Sequence, residues 1–308
     1  FVDNPIAHLP FMEARLTALK VLAGYAGLLL WPGKMSIDYS FRAIPPVTGG
    51  PDAGSLLGLA LLLAWVAGVV LAWRKAPGVA FALAFTGIAF APVANLLFPI
   101  GTIMAERLMY LPSAGFCLAA AAAFARVMAR AGRSTAALLG AAVLLAALSA
   151  RTLVRLHDWR DDYTIFRAAL STAPDSVRAL FNYGAACEKR GDDSTAADAY
   201  RKAIGLWPDF ADAHYNLAGV EARRKRWEVA VEHYRLALRQ QPGNVQYLVN
   251  LARSLTGMDR GEEARDFLRR ALAIDPGSAL AYTNLGAAEL SLRNPQAALA
   301  AYEEAVRL

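Results

Sequence analysis

Asn182, Asn216, Asn250 and Asn284 stand 34 residues apart, and each carries a side-chain amide that offers both a hydrogen-bond donor and an acceptor. A row of such amides at constant pitch could hold an extended polypeptide by its backbone, without reading its side chains. Other residue types that do chemistry are sparse. The four histidines, His8, His157, His214 and His233, are scattered, and no spacing among them resembles a metal site. Cys117 and Cys187 read as small buried residues and imply no disulfide. There is no glycine-rich phosphate loop and no nucleophile elbow.

The asparagines need a scaffold with the same pitch, and the sequence supplies one. Pro174, Pro208, Pro242 and Pro276 are also 34 apart, as are Ala196, Ala230, Ala264 and Ala298, and then Ala203, Ala237, Ala271 and Ala305. Between the alanines a large residue recurs as Tyr200, Tyr234, Leu268 and Tyr302. This pattern resembles the tetratricopeptide repeat, a helix–turn–helix unit, in copies at 177–210, 211–244, 245–278 and 279–308, the last one truncated. Alanines let two helices approach, the large residue fills the adjacent gap, and proline ends the second helix. Stacked units share one core that a single unit could not build. Trp159, Phe166, Ala169 and Pro174 precede Trp227, Tyr234, Ala237 and Pro242 by 68 residues, so 157–176 reads as a degenerate half-repeat whose helix, 157–172, docks the array onto the last membrane span.

In such a solenoid the first helix of each unit lines the concave face, where peptides bind. The asparagines fall on that helix. They look like the asparagine ladder of the repeat domain in O-GlcNAc transferases, which holds extended peptides; alternatively, asparagine is simply favoured there by the repeat consensus. Neighbouring groove positions, Arg178, Phe181, Glu188, Asp212, Tyr215, Arg223 and Arg253, are mixed in sign and indicate no strongly charged ligand. The run Arg223-Arg224-Lys225-Arg226 falls at an inter-helix turn and reads as a solvated loop. Nucleic acid is not expected as a partner, because no aromatic and basic platform is present.

The rest of the chain belongs to a different solvent. Of 308 residues, 56% are hydrophobic and 19% charged, with a net charge of +6. Residues 1–156 carry 12 Lys/Arg and 5 Asp/Glu, whereas 157–308 carry 20 and 21. Uncharged runs of 21, 30, 18 and 17 residues predict membrane spans near 54–73, 79–98, 109–127 and 135–153, since a bilayer core takes about 20 apolar residues as helix. The segment 15–31, with Lys20 inside it, is either a short span or a re-entrant helix. In 79–98, Pro92 and Asn95 predict either a packing kink or a break lining a site. Arg74 and Lys75 in one loop, and Arg126, Arg130 and Arg133 at another, place those loops in the cytoplasm and the repeats outside. The outside is a bacterial periplasm, or an organelle lumen in a eukaryote; high Ala and Arg with few Lys suits a GC-rich bacterium. Trp31, Tyr39, Trp73 and Tyr110 fall where aromatic belts form. Phe1 is no initiator and the last repeat is short, so the chain is expected to be a fragment.

Two polar stretches lie on the outer side. One runs from Trp31-Pro32 through Met35-Ser36-Ile37-Asp38-Tyr39-Ser40 to Ile44-Pro45, the other from Ala105-Glu106-Arg107-Leu108-Met109-Tyr110 to Cys117. Together with Asp3-Asn4-Pro5 and Pro92-Val93-Ala94-Asn95, in this order and followed by repeats, they resemble the transmembrane and tetratricopeptide-repeat O-mannosyltransferases and their bacterial relatives. The fold expected is therefore all-α, a multi-span helical bundle followed by a solenoid. The resemblance implies a membrane glycosyltransferase that uses a lipid-phosphate-linked sugar donor, with a carboxylate base drawing the proton from the acceptor hydroxyl. The family's acidic motif, in a first outer loop, has no counterpart here, so no residue is assigned as catalytic. In the same setting Arg107 is a candidate to neutralise the donor phosphate, with Glu106 orienting it and Tyr110 lining the pocket; Asp38, Tyr39 and Arg42 are further candidates. The partners expected are membrane lipid and a polypeptide acceptor or protein on the repeat groove. The rival reading is a non-catalytic, membrane-anchored repeat scaffold. A transporter is disfavoured because ionisable residues inside the spans are lacking.

Overall fold

The computed structural model describes residues 4–30, 44–97, 99, 104–131 and 135–308, and every regular element among them is helical. The chain divides into two compact units, Phe1–Ala179 and Leu180–Leu308, each taken by itself below.

The first unit opens with a 3-10 turn, Pro5–His8, then α1 (Phe11–Leu30), α2 (Ala53–Lys75) and α3 (Pro77–Phe90). A 3-10 turn, Ala91–Val93, ends α3, and a second, Glu106–Met109, leads into α4 (Tyr110–Ala131); α5 (Thr135–Asp158) and α6 (Asp162–Thr172) follow. Helix α1 packs on α2, α2 on α3, and α3 on α4. Helix α2 starts at a capping box, in which Asp52 accepts the Ser55 N–H at 2.7 Å and Ser55 Oγ accepts the Asp52 N–H at 2.9 Å. The Ser55 N–H, then the Lys20 ammonium 2.9 Å away, hold the Asp52 carboxyl down at about 2.

Helices α2, α4 and α5 are long and apolar enough to cross a membrane. Their apolar side chains point outward, as Leu56, Leu57, Val70 and Leu71 do on α2 and Leu139, Val143 and Leu145 on α5, which is the arrangement that lipid rather than water favours. The span expected at 79–98 is shorter. Helix α3 has 14 residues, its 3-10 turn carries it only to Val93, and Asn95 then takes a left-handed backbone with φ of 57°. Pro92 supplies no N–H to continue the helix, and the left-handed residue redirects the chain. Helix α1 buries one stripe, Ala14, Thr17, Ala18, Val21 and Tyr25, against its own unit. Lys20 is not bare in that helix, since it pairs with Asp52 and donates to the Pro45 carbonyl at 3.1 Å. Trp73 and Tyr110 are exposed near helix ends, as belt residues should be, while Trp31 and Tyr39 lie outside the described residues. Cys117 was expected to be buried but is exposed: the buried stripe of α4 runs through Pro112, Gly115 and Ala119, and Cys117 sits about 200° around the helix from Gly115.

In the degenerate half-repeat, α5 runs on to Asp158 and α6 begins at Asp162, three residues later than the repeat register gives. The reason is local: Asp161 and Thr164 form a capping box that sets the helix start, leaving Trp159 in the turn.

The second unit takes up the helix pairs α7 (Val177–Lys189) and α8 (Asp193–Leu206), α9 (Ala211–Arg223) and α10 (Trp227–Gln240), α11 (Val245–Gly257) and α12 (Gly261–Ile274), and α13 (Ala279–Ser291) and α14 (Pro295–Arg307). First helices start at 177, 211, 245 and 279 and second helices at 193, 227, 261 and 295, an interval of 34 throughout. Ala196, Ala230, Ala264 and Ala298 are buried, as are Tyr200, Tyr234 and Leu268 between the helices of their pairs. Between the paired helices one residue takes positive φ each time: Gly191 in the first copy, then Lys225, Asp259 and Arg293 at 58°, 58° and 59°. Only the first of these turns carries the residue that adopts that conformation without steric cost.

Candidate functional site

Two groups of residues merit a functional reading, one in each unit. In the second, a cavity of about 330 Å³ opens between the first helices of successive repeats. Its amides are Asn216 and Asn250; its charged residues are Glu188, Arg223 and Arg253; Tyr215, Tyr234 and Gly219 complete the wall. Six of these eight positions were legible as groove residues in the sequence. Tyr234 and Gly219 were not, because one lies on a second helix and the other offers no functional group. Asn182, on α7, and Asn284, on α13, are not among the lining residues. Arg178 stands in the first turn of α7, and Phe181 packs its ring on Tyr200 and Phe210. Asp212 accepts the Tyr247 hydroxyl.

The amides are already partly engaged. Asn250 Nδ2 donates to Tyr215 Oη at 2.8 Å and to the Gln246 carbonyl at 3.0 Å, which uses both of its N–H groups. What remains for a ligand is the acceptor Oδ1. Asn216 Nδ2 donates to Tyr200 Oη at 3.3 Å, and that hydroxyl donates in turn to Glu188. Asn284 Nδ2 donates to the Leu280 carbonyl at 2.8 Å. The Nδ2 contacts thus fix the orientation of both amides in the cavity. Tyr215 is stacked on Tyr247 with centroids 4.6 Å apart, which fixes the aromatic wall. Burial pushes the Tyr215 phenol up, and burial raises Tyr234 to about 12, so both stay protonated hydrogen-bonding groups.

Charge in the groove is mostly internal. Arg223 Nη2 reaches Glu188 Oε1 at 2.6 Å and Asp193 Oδ1 at 2.7 Å, and Arg226 lies 3.4 Å from the buried Glu221. The basic run 223–226 is therefore held in ion pairs at two of its four positions. The histidines are less scattered than their spacing suggests. His214 and His233, on α9 and α10, approach with Nδ1 atoms 3.0 Å apart, and His214 Nε2 lies 2.9 Å from the Pro208 carbonyl. That carbonyl only accepts, so the neutral His214 carries its proton on Nε2 and accepts from His233 at Nδ1. Burial, then the His214 neighbour, pushes the His233 imidazole down. Among the described residues no group of three or more His, Cys, Asp or Glu could hold a metal ion.

In the first unit, motifs far apart in sequence meet. Asn4 Nδ2 donates to Asn95 Oδ1 at 3.0 Å across 91 positions, and Asn4 Oδ1 accepts the Ile6 N–H. Arg15 donates to the carbonyls of Asn95, at 2.7 Å, and Leu97, at 3.2 Å. The left-handed Asn95 is 1% exposed, with its side-chain oxygen and its carbonyl both accepting hydrogen bonds, so the break after α3 is a built feature rather than a frayed end. Tyr25 Oη accepts the Ala105 N–H at 2.8 Å and donates to the Ala105 carbonyl at 3.2 Å. Tyr25 also meets Phe90 edge-on at 5.2 Å and packs with Met104, Val21 and Ile6. The backbone directly ahead of the Glu106–Met109 turn is anchored by this contact. The side chains of Glu106 and Arg107 lie outside the description, as do Asp38, Tyr39 and Arg42 entirely; Tyr110 is 87% exposed at the start of α4.

Comparison with known proteins bears on both units. Residues 1–66 match the family described as "Protein O-mannosyl-transferase TMTC, DUF1736", and 148–209, 194–245, 222–288 and 278–308 match tetratricopeptide-repeat families. The chain is similar to the mouse protein O-mannosyl-transferase TMTC3, 30% identical over 191 residues, which is 60% of this chain and 21% of that protein. It is similar to Tmtc2 of Drosophila melanogaster, 40% identical over 119 residues covering 38% and 12%, and to mouse TMTC4, 29% identical over 211 residues covering 65% and 28%. It thus spans between about an eighth and three tenths of the length of the curated relatives it matches. Among solved structures, a crystal structure of MamA covers 46% of this chain and 84% of its own at 19% identity, with a TM-score of 0.44.

Proposed function

We propose, from the premise that this chain belongs to the TMTC family of membrane proteins with tetratricopeptide repeats, that it forms the donor-holding and acceptor-holding parts of a protein glycosyltransferase. The family's named members are protein O-mannosyltransferases, and the reaction inferred here is of that class: transfer of a sugar from a lipid phosphate to a hydroxyl of a polypeptide. The observation that carries the reading is the hydrogen bond from Asn4 to Asn95. It joins two of the motifs on which the resemblance rests, in the unit where Tyr25 anchors the backbone ahead of Glu106 and Arg107. A tether would not need a buried polar junction of this kind; a site that must hold several loops in register does.

In this reading Arg107 meets the donor phosphate with two parallel N–H groups, which neutralises the charge that grows on the leaving group. Glu106 orients the guanidinium, and Tyr110 lines the sugar pocket. Asp38, Tyr39 and Arg42, in the preceding outer stretch of the sequence, are further candidates for contact with the donor. The loops rich in Arg and Lys face the cytoplasm, the motifs and the repeats face the other side, and the acceptor polypeptide lies along the repeats. No catalytic base is assigned to any of the 308 residues.

The donor half is tested by binding. With the chain in lipid nanodiscs, a short-chain polyprenyl phosphate mannose is expected to bind saturably, and Arg107→Ala to weaken it by about 10-fold or more, the loss of one charge-assisted contact worth about 1.5–3 kcal/mol. Arg126, which donates to the Lys75 carbonyl, serves as the control, and Arg126→Ala should leave affinity unchanged. Equal affinity for the wild type and the Arg107→Ala variant, with helicity intact, rejects the assignment.

A further inference from the structure

The repeat cavity holds one cation that the fold itself leaves without an anion. Arg223 is clamped by Glu188 and Asp193, so its charge is internally balanced. Arg253 enters the same cavity from α11 and is in ion-pair distance of no carboxylate among the described residues; its electrostatic neighbours are the phenols of Tyr215 and Tyr234. Its position in the repeat is unusual. The residues 34 before and after it are Gly219 and Ala287, and Ala185 stands 68 before, so three copies place a small residue where the third places a guanidinium. Gly219 itself lines the cavity and leaves space across from it: a Cβ there would come no closer than 3.7 Å to any neighbour. The remaining functional groups, Asn216 and Asn250, offer neutral contacts to a backbone. A cavity of about 330 Å³ admits one side chain with its flanking peptide groups.

We propose that this cavity is an acid-recognising subsite, in which Arg253 binds the carboxylate of a bound polypeptide while Asn216 and Asn250 hold its backbone. The proposal deepens the reading of the repeats as the acceptor-holding part and rests on it. The groove then does not hold every extended chain equally: it places an acidic residue, or a chain terminus, at a fixed point and so sets the register of what lies before and after. Arg is suited to the task because its planar fork takes a carboxylate through two parallel hydrogen bonds, against tyrosine walls that exclude part of the water.

The experiment uses the whole chain in nanodiscs and 15-residue Gly/Ser/Ala peptides that carry one central Glu or Gln, with a free or an amidated C-terminus. The amidated Glu peptide is expected to bind about 10-fold more tightly than its amidated Gln counterpart, with the difference shrinking as salt is raised. Arg253→Ala should abolish the discrimination and leave the Gln peptide's affinity unchanged, whereas Arg253→Lys should retain part of it. If instead only a free C-terminus confers the gain, and Arg253→Ala removes it, the carboxylate recognised is the chain end. Equal binding of all four peptides by the wild type overturns the acid subsite while leaving the peptide-holding reading intact. Binding of none overturns both.

Discussion

Gly58→Ala is expected to unfold the first unit's helix pair, with a loss of about 3 kcal/mol or more in nanodisc-embedded thermal or denaturant unfolding. A Cβ on Gly58 would lie 1.8 Å from the Leu19 carbonyl oxygen and 2.5 Å from its carbon, both main-chain atoms of α1 that no rotamer change can move. One turn earlier a Cβ on Gly54 would lie 2.9 Å from Lys20 Cγ. Gly54-Ser55-Leu56-Leu57-Gly58 is thus a small-xxx-small stripe that lets two backbones touch, and in lipid such contact has no hydrophobic driving force to replace it. The same contact brings Lys20 to Asp52 and the start of α2. Gly68→Ala is the matched control, because its Cβ would meet only Leu83 Cδ1 at 3.6 Å, an ordinary distance. An unfolding midpoint for Gly58→Ala equal to that for Gly68→Ala would show that α1 and α2 do not pack in this way.

Tyr200→Ala should cost the second unit about 3–5 kcal/mol, the usual range for deleting a buried aromatic ring. The ring is 0% exposed and fills the gap left by Gly184, where an added Cβ would come within 2.7 Å of it. Its hydroxyl also donates to Glu188 and accepts from Asn216, so the substitution removes a hydrogen-bond partner of two cavity-lining side chains together with core volume. Tyr200→Phe keeps the volume and loses only the hydroxyl, which donates to a carboxylate; about 1.5–3 kcal/mol is expected. Because stability in a repeat array spreads by nearest-neighbour contact, the loss should appear first in protection of α7 to α10 by hydrogen exchange, with α13 and α14 affected less. A change below about 1 kcal/mol for Tyr200→Ala would contradict the packing described.

The repeat unit was legible almost to the residue because its period is enforced at many positions at once. Proline ends second helices, alanines sit at every close crossing, and both repeat at 34, so the helix starts could be placed by arithmetic. Uncharged runs likewise located α2, α4 and α5. Hydropathy could not show where α3 stops, since Ala91 to Leu97 is apolar apart from Asn95; the stop comes from a missing proline N–H and one left-handed residue. The start of α6 was displaced by a two-residue capping box that a 68-residue alignment ignores. In the functional sites, chemistry-bearing residue types were found readily, but their pairing was not. Asn4 and Asn95 are 91 apart, and His214 and His233 face each other only because α9 and α10 pack antiparallel in one repeat. Gly54 and Gly58 carried a readable signal, the small-xxx-small spacing within an apolar helix, which reading for charged and polar groups passed over. Arg253 was visible as a groove residue, but its lack of an anion became evident only once Glu188 and Asp193 were seen to hold Arg223.

The claim on which the account rests is that the repeats hold an extended polypeptide through Asn216 and Asn250. The direct measurement is fluorescence anisotropy of a labelled, non-repeating 30-residue Ser/Thr-containing polypeptide against the chain in nanodiscs. The Asn216→Ala/Asn250→Ala double substitution removes two acceptors at about 1 kcal/mol each and should weaken binding by about 30-fold. Since Asn250 also donates to Tyr215 and Gln246, circular dichroism and the unfolding midpoint of the variant must be compared with the wild type to separate binding from fold. Saturable binding by the wild type and its loss in a folded double variant is the predicted result. The same affinity in both would contradict the account.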